Sequence, residues 1–203
     1  MKIINNIEQG SIEWLKLRLG KATASNFSKI VTSKGIESKT LPKYALELAS
    51  EMLIIEPEEG YKSEDMQRGN DLEQEARELY EQTAFNAVDE IAFMDCGDCG
   101  YSTDGLVNND GIIEIKCPNK TTHTKYLYED RLPVEYVQQV QGGLMISGRK
   151  WCDFISYHPN FNDNEKMFIK KIFRDEDFIK KMQEGIKKLI TLRDNYYFKI
   201  KND

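Results

Sequence analysis

Between Gly100 and Pro118 the chain carries two apolar, β-rich runs separated by Asn108, Asn109, Asp110 and Gly111. Asn, Asp and Gly tolerate the positive φ of a tight turn, so this stretch is expected to fold back on itself as two strands of a hairpin. Side chains alternate along a strand. Glu114 and Lys116 therefore share one face of the second strand, while Ile113, Ile115 and Cys117 take the other. The turn brings Asp104, in the small-residue bend after Ser102 and Thr103, back alongside them. Two carboxylates and an ammonium then converge at one sheet end, where Pro118 stops the strand.

The flanking segments supply the layers. Ser11 is placed to cap a short helix through Trp14, Leu15 and Leu19, which Gly20 ends. Thr23, Ala24 and Ser25 begin a second helix, with Phe27, Ile30 and Val31 at helical spacing. Pro42 takes the first turn of a third, with Leu46, Ala49, Leu53 and Ile54 as its apolar face. Ser63 caps a fourth, running to about Thr83. Further strands are expected over Val88–Met94, Trp151–His158 and Glu165–Phe173. Glu135–Ser147 and about Glu176–Tyr197 read as helices, the last carrying Phe178, Met182, Ile186, Leu189 and Ile190. The expected fold is α/β: a central mixed sheet of about five strands flanked by helices. It forms one domain over 1–203, with N-terminal helices over about 11–55 and a C-terminal helix over about 176–200.

Net charge misleads here. The total is −6, yet residues 51–113 carry 17 acidic and only 3 basic side chains, leaving 25 basic against 17 acidic elsewhere. That asymmetry is compatible with a polyanionic partner that the mean conceals. No apolar run approaches the roughly 20 residues of a membrane span, and the first residues do not form a signal peptide. Cys96, Cys99, Cys117 and Cys152 are accordingly expected as free thiols in a reducing cytoplasm. Cys96 and Cys99 have metal-knuckle or redox spacing, but Gly97, Asp98 and Gly100 favour a turn between two strands, and one such pair supplies half of a zinc site. His123 and His158 lie at no useful spacing to a nucleophile.

Asp104 and Glu114 offer hard oxygen ligands of the type that suits Mg2+ or Mn2+. Lys116 stands where it can orient or deprotonate a water and stabilise charge on a phosphate. The bland alternative is an exposed strand face. On the helix of residues 64–83, Leu72, Ala76, Leu79 and Tyr80 form the buried stripe, with Glu73 and Glu75 on opposite flanks and Glu78 and Glu81 facing water. The helical wheel does not choose between Glu73 and Glu75.

Four blocks in order carry a resemblance: Trp14–Ser25, Arg68–Arg77, Ser102–Pro118, and Tyr136–Phe154 with its Gln139-Val140-Gln141 motif. The chain resembles the phage lambda exonuclease-type viral recombinase family of the restriction-endonuclease-like nucleases. Thr103 departs from it, since many members carry Pro before the Asp. The resemblance implies a restriction-endonuclease-like core and a 5′→3′ exonuclease that degrades one strand of linear double-stranded DNA to mononucleotides, leaving 3′ single-strand tails. It implies that Asp104, Glu114 and the backbone carbonyl of Ile115 bind catalytic Mg2+ or Mn2+, two ions per site. Lys116 would serve the attacking water. Glu73, rather than Glu75, would be the helix-borne carboxylate, and Gln139 would hydrogen-bond within the site. Arg18 and Ser25 would grip the 5′-phosphate; a helix N-terminus at Ser25 would favour an anion independently. It further implies a homotrimer, a single-strand annealing protein as partner, and the bacterial host cytoplasm for a phage-encoded chain. DNA affinity should be salt-sensitive despite a pI near 5.2. The rival readings are an endonuclease or repair nuclease with the same site, a non-catalytic DNA-binding module that keeps the fold, and a zinc-knuckle binding protein.

Overall fold

The computed structural model describes residues 1–54, 56–57 and 64–202. The hairpin expected from the turn residues is the middle of a five-stranded mixed sheet. Strand β6 (Gly105–Val107) pairs antiparallel with β7 (Gly111–Lys116), with Val107 opposite Gly111 and Asn108 at φ 49. β7 runs parallel to β8 (Trp151–Tyr157), and β8 antiparallel to β9 (Met167–Phe173). A short β3 (Val88–Asp89) completes the order β3-β6-β7-β8-β9.

The expected strands Val88–Met94 and Gly100–Val107 are each broken. Their other halves, β4 (Phe93–Asp95) and β5 (Cys99–Tyr101), join β1 (Lys2–Ile4) and β2 (Ala22–Thr23) in a second sheet, ordered β1-β4-β5-β2. The break after Tyr101 is the bend that holds Asp104. Cys96 and Cys99 flank the β4–β5 turn, with Gly97 at φ 91.

The parallel β7–β8 connection passes through α4 (Lys120–Glu129) and α5 (Val137–Ser147), the latter preceded by a 3-10 turn at Val134–Tyr136. Gly142 and Gly143 let α5 press onto the sheet side: a Cβ at Gly142 would stand 2.4 Å from the Phe27 ring, and one at Gly143 2.6 Å from Tyr101. This seats Gln139 beside β7. On that face Ile112 joins Val140, Leu144 and Cys152 in a core closed by α2 (Leu41–Glu51) and α6 (Glu176–Asn202). On the opposite face Ile113, Ile115 and Ile155 meet Ala76 and Tyr80 of α3 (Glu64–Ala84). Burying such a side chain contributes about 1.5–3 kcal/mol, so alternation on β7 fixes which helix lies on which face.

Several local expectations are corrected. α1 (Ile12–Arg18) is capped by Ser11, whose hydroxyl accepts the Trp14 N–H. The segment from Ala24 to Lys29, however, is a 3-10 helix rather than an α-helix, and Thr23 makes no side-chain cap to it. The apolar face of α2 is Leu41, Tyr44, Ala45, Leu48 and Ala49; Leu46 is 48% exposed, and Leu53 and Ile54 lie past the helix end. Glu78 faces water, but Glu81 accepts the Val88 N–H at 2.8 Å and so anchors β3. Ser63 lies outside the described residues. Among those residues, no helix is long and apolar enough to cross a membrane.

Candidate active site

Asp104 enters the site because the chain leaves the second sheet at Tyr101 and joins the central one at Gly105. Its Oδ2 accepts the Ile115 N–H at 2.6 Å, which clamps the bend to β7. Two residues along β7 from each other, Glu114 and Lys116 meet with Nζ 2.5 Å from Oε1. The same Oε1 accepts a hydrogen bond from Gln139 Nε2, and Oε2 accepts the Tyr101 hydroxyl at 3.1 Å. Glu114 is 1% exposed, so each of its oxygens needs these partners.

The two carboxylates that the helical wheel leaves equivalent are placed differently on α3. Glu75 is exposed and accepts the Tyr157 hydroxyl, on the flank away from Asp104. Glu73 lines a cavity of about 460 Å3 together with Asp104, Ile115 and Lys116. Arg68, Pro118 and Tyr136 form other parts of its wall, with the Tyr136 ring centre 5.5 Å from Lys116 Nζ.

Electrostatics follow from crowding acids in a poorly hydrated place. Burial, then repulsion from Asp104, raises the Glu73 carboxyl to about 7, against the pull of Arg77 and Lys116. Burial raises Glu114 to about 7 as well, opposed by Lys116 and reinforced by Asp104. Asp104 is raised by burial too, opposed chiefly by Lys116. Burial would lower the Lys116 ammonium, but Glu114 and Asp104 outweigh it and hold the lysine above its ordinary value. These carboxylate neighbours hold Lys116 as an ammonium.

The donor set fits a divalent cation. Asp104 and Glu114 supply carboxylate oxygens next to the Ile115 backbone, and raised carboxyl pKa values mark a site short of positive charge. Among the described residues no three His, Cys, Asp or Glu side chains gather around one point. An ion here would draw on two carboxylates, a carbonyl and water rather than on a closed cage, which is how Mg2+ is usually held.

Arg18 reaches the same region from α1. Its Nη1 donates to Ser102 Oγ at 3.1 Å, two residues before Asp104, and its guanidinium lies 4.0 Å over the Trp14 ring. Burial lowers it to about 10, so it remains a cation at neutral pH. It lines a second cavity of about 290 Å3 with Lys21, Thr23 and Lys29. Ser25 is not brought in: it is exposed, and its hydroxyl lies 3.4 Å from Thr23 Oγ1. A six-residue 3-10 turn also lacks the aligned peptides of a helix N-terminal anion site. Sequence reasoning missed Tyr101, Ser102, Arg77 and Tyr136. Only Arg77 had a readable signal, its i,i+4 spacing from Glu73.

A mixed sheet with Asp at a strand entry, Glu-x-Lys on the next strand and a helix flanking one face defines a restriction-endonuclease-like core. Within that class, the chain belongs to the YqaJ-like viral recombinase domain family, whose profile matches residues 13–150. The structure is similar to an alkaline exonuclease (LHK-Exo) from Laribacter hongkongensis, with 32% identity, a TM-score of 0.86, and coverage of 95% of this chain and 97% of that one. The same protein in complex with dAMP gives the same figures. A phage related exonuclease from Haemophilus somnus 129PT shares the fold at 19% identity, TM-score 0.73, over 89% of this chain and 96% of that chain. No curated protein sequence matches.

Proposed function

We propose that this protein is an Mg2+- or Mn2+-dependent exonuclease that degrades one strand of linear double-stranded DNA in the 5′→3′ direction, releasing mononucleotides and leaving 3′ single-strand tails. The observation that carries the reading is the cavity lined by Glu73, Asp104 and Lys116, with Glu114 and Gln139 hydrogen-bonded in series behind Lys116, in a chain that resembles an alkaline exonuclease along nearly its whole length.

Asp104, Glu114 and the Ile115 carbonyl would hold up to two divalent ions. When bound, such ions supply Lewis-acid polarisation of a phosphate and a more acidic water. Lys116, held as an ammonium, donates to the attacking water or to a phosphate oxygen and offsets the charge that develops in the transition state. Gln139 and Tyr101 keep the Glu114 carboxylate in one orientation. Glu73 closes the cavity from α3, where a carboxylate can accept a proton or a water hydrogen bond. Arg18 is the residue for a terminal 5′-phosphate: a guanidinium pairs with phosphate bidentately, and stacking on Trp14 fixes its plane. Ser25 would join it only after a rearrangement of the 24–29 turn. Assembly as a homotrimer, action with a single-strand annealing protein and a place in the bacterial host cytoplasm complete the proposal.

The test is digestion of a 5′-phosphorylated linear duplex with Mg2+, wild type beside Lys116→Ala. The reading expects mononucleotide release by the wild type alone. Equal rates in both proteins would remove Lys116 from catalysis. Rapid cutting of closed circular DNA would make the protein an endonuclease, and binding without digestion would make it a DNA-binding module.

A further inference from the structure

We propose that Arg77 is a positioning residue of this site: its guanidinium locks α3 to the Asp104 bend and thereby fixes Glu73 against the carboxylates of the sheet. The inference rests on the nuclease reading and extends it to a residue that reading does not use.

All three nitrogens of the Arg77 fork are engaged. Nε donates to the Asp104 backbone carbonyl at 3.0 Å, Nη2 to Glu73 Oε1 at 2.7 Å, and Nη1 pairs with Glu90 Oε2 at 2.8 Å. An i,i+4 pair on an exposed helix stabilises little. Here the Arg77 side chain is only 11% exposed, and the same planar group grips a carbonyl 27 residues away in sequence. Asp104 is consequently held twice: its carboxylate by the Ile115 N–H and its carbonyl by Arg77. At the other end of the cavity Arg68 donates to the carbonyls of Cys117 at 3.1 Å and Pro118 at 2.8 Å, just beyond Lys116. α3 is thus pinned to the entry of β6 and the exit of β7, with Glu73 between the pins. Lysine could not replace Arg77, because a point donor does not serve a carboxylate and a carbonyl through one rigid plane.

A residue that acts through Glu73 has no effect left once the Glu73 carboxylate is gone, whereas a merely structural ion pair does. The experiment compares wild type, Arg77→Gln, Arg77→Lys, Glu73→Gln and the Arg77→Gln/Glu73→Gln double variant, each shown folded by circular dichroism. On 5′-phosphorylated duplex with Mg2+, Arg77→Gln should lose about 10- to 100-fold in kcat with KM for the duplex within about twofold, and Arg77→Lys should fall between it and the wild type. In Mn2+ titrations by calorimetry, Arg77→Gln should bind about 10-fold more weakly, and the double variant no more weakly than Glu73→Gln alone. Wild-type kcat in Arg77→Gln, unchanged Mn2+ affinity, or additive losses in the double variant would overturn the proposal. If the wild type digests no DNA, the nuclease reading fails and the Mn2+ titrations alone decide the role of Arg77; absence of Mn2+ binding by the wild type overturns it.

Discussion

Lys116 Nζ lies 2.5 Å from Glu114 Oε1, and the two residues are separated by one position on β7. The period of two that puts them on one face also commits Glu114 to the interior, at 1% exposure. Each makes the other tolerable: the acid raises the ammonium, and the ammonium limits the rise of the acid.

Lys116→Met should therefore have two effects. Loss of the cation at the reacting phosphate should lower the rate on linear duplex at least about 100-fold. It should also destabilise the protein at pH 8 by up to about 3 kcal/mol, since a buried Glu114 charge loses its partner. At pH 6 the carboxyl can take up a proton and the destabilisation should shrink. Urea unfolding at both pH values checks this; equal losses would show that the pair does not govern the ionisation of Glu114.

Glu73 predicts a pH dependence of the opposite kind. Its carboxyl is raised from 4.5 to about 7, so between those values the folded protein holds a proton that the unfolded chain has released. Folded-state stability must then fall as pH rises through that window. Glu73→Gln removes the liability and should be more stable than the wild type at pH 8 by about 1–2 kcal/mol, with the difference vanishing near pH 4. The same protonation competes with a cation, so Mg2+ affinity should increase from pH 6 to pH 8 with proton release. Calorimetry in two buffers of different ionisation enthalpy measures the protons. A pH-independent affinity would place the titrating groups elsewhere.

How much of this was legible depends on the range of the interaction concerned. The hairpin, the Glu114/Lys116 face and the turn at Cys96–Cys99 are written in neighbouring residues, through turn formers and alternation, and they stand. The four-stranded sheet was not legible, because its strands are two or three residues long and carry no period. For the same reason Val88–Met94 reads as one strand, although Glu81 anchors its start in one sheet and Ile4 pairs its end in another. Glu73 and Glu75 flank the buried stripe alike on a wheel and are separated only by what distant segments bring to them, a cavity shared with Asp104 for one and the Tyr157 hydroxyl for the other. Ser25 shows the converse. Its surroundings satisfy the rules for a helix start, but Phe27 and Ala24 are drawn under Gly142 of α5, and the segment tightens into a 3-10 turn.

Arg18 offers a test of end recognition. Its guanidinium is pre-oriented by Trp14 and Ser102, and Lys21 and Lys29 share its cavity. Hydrogen bonds to a charged group contribute about 1.5–3 kcal/mol, so Arg18→Ala should slow digestion of a 5′-phosphorylated duplex about 10- to 100-fold. A duplex ending in a 5′-hydroxyl should be affected far less, and the wild-type preference between the two ends should largely disappear. Equal losses on both ends would turn Arg18 into a residue of general DNA affinity or of folding.

Gly143 tests the packing beneath the site. A Cβ there would lie 2.6 Å from Tyr101 Cζ and 3.0 Å from its hydroxyl oxygen, which no real side chain tolerates. Tyr101 is 1% exposed in a close-packed interior, so the ring has nowhere to retreat without moving either α5 or β5. Overpacking of this kind costs about 1–3 kcal/mol, and Gly143→Ala should lose that much in urea unfolding even though alanine is the better helix former. The displaced hydroxyl also ceases to donate to Glu114, whose other oxygen is held by Lys116 and by Gln139 on the same helix. Activity should consequently fall further than stability alone accounts for, when compared at temperatures where both proteins are fully folded. If Gly143→Ala is as stable and as active as the wild type, the close approach of α5 to Tyr101 is not what positions Gln139 and Glu114.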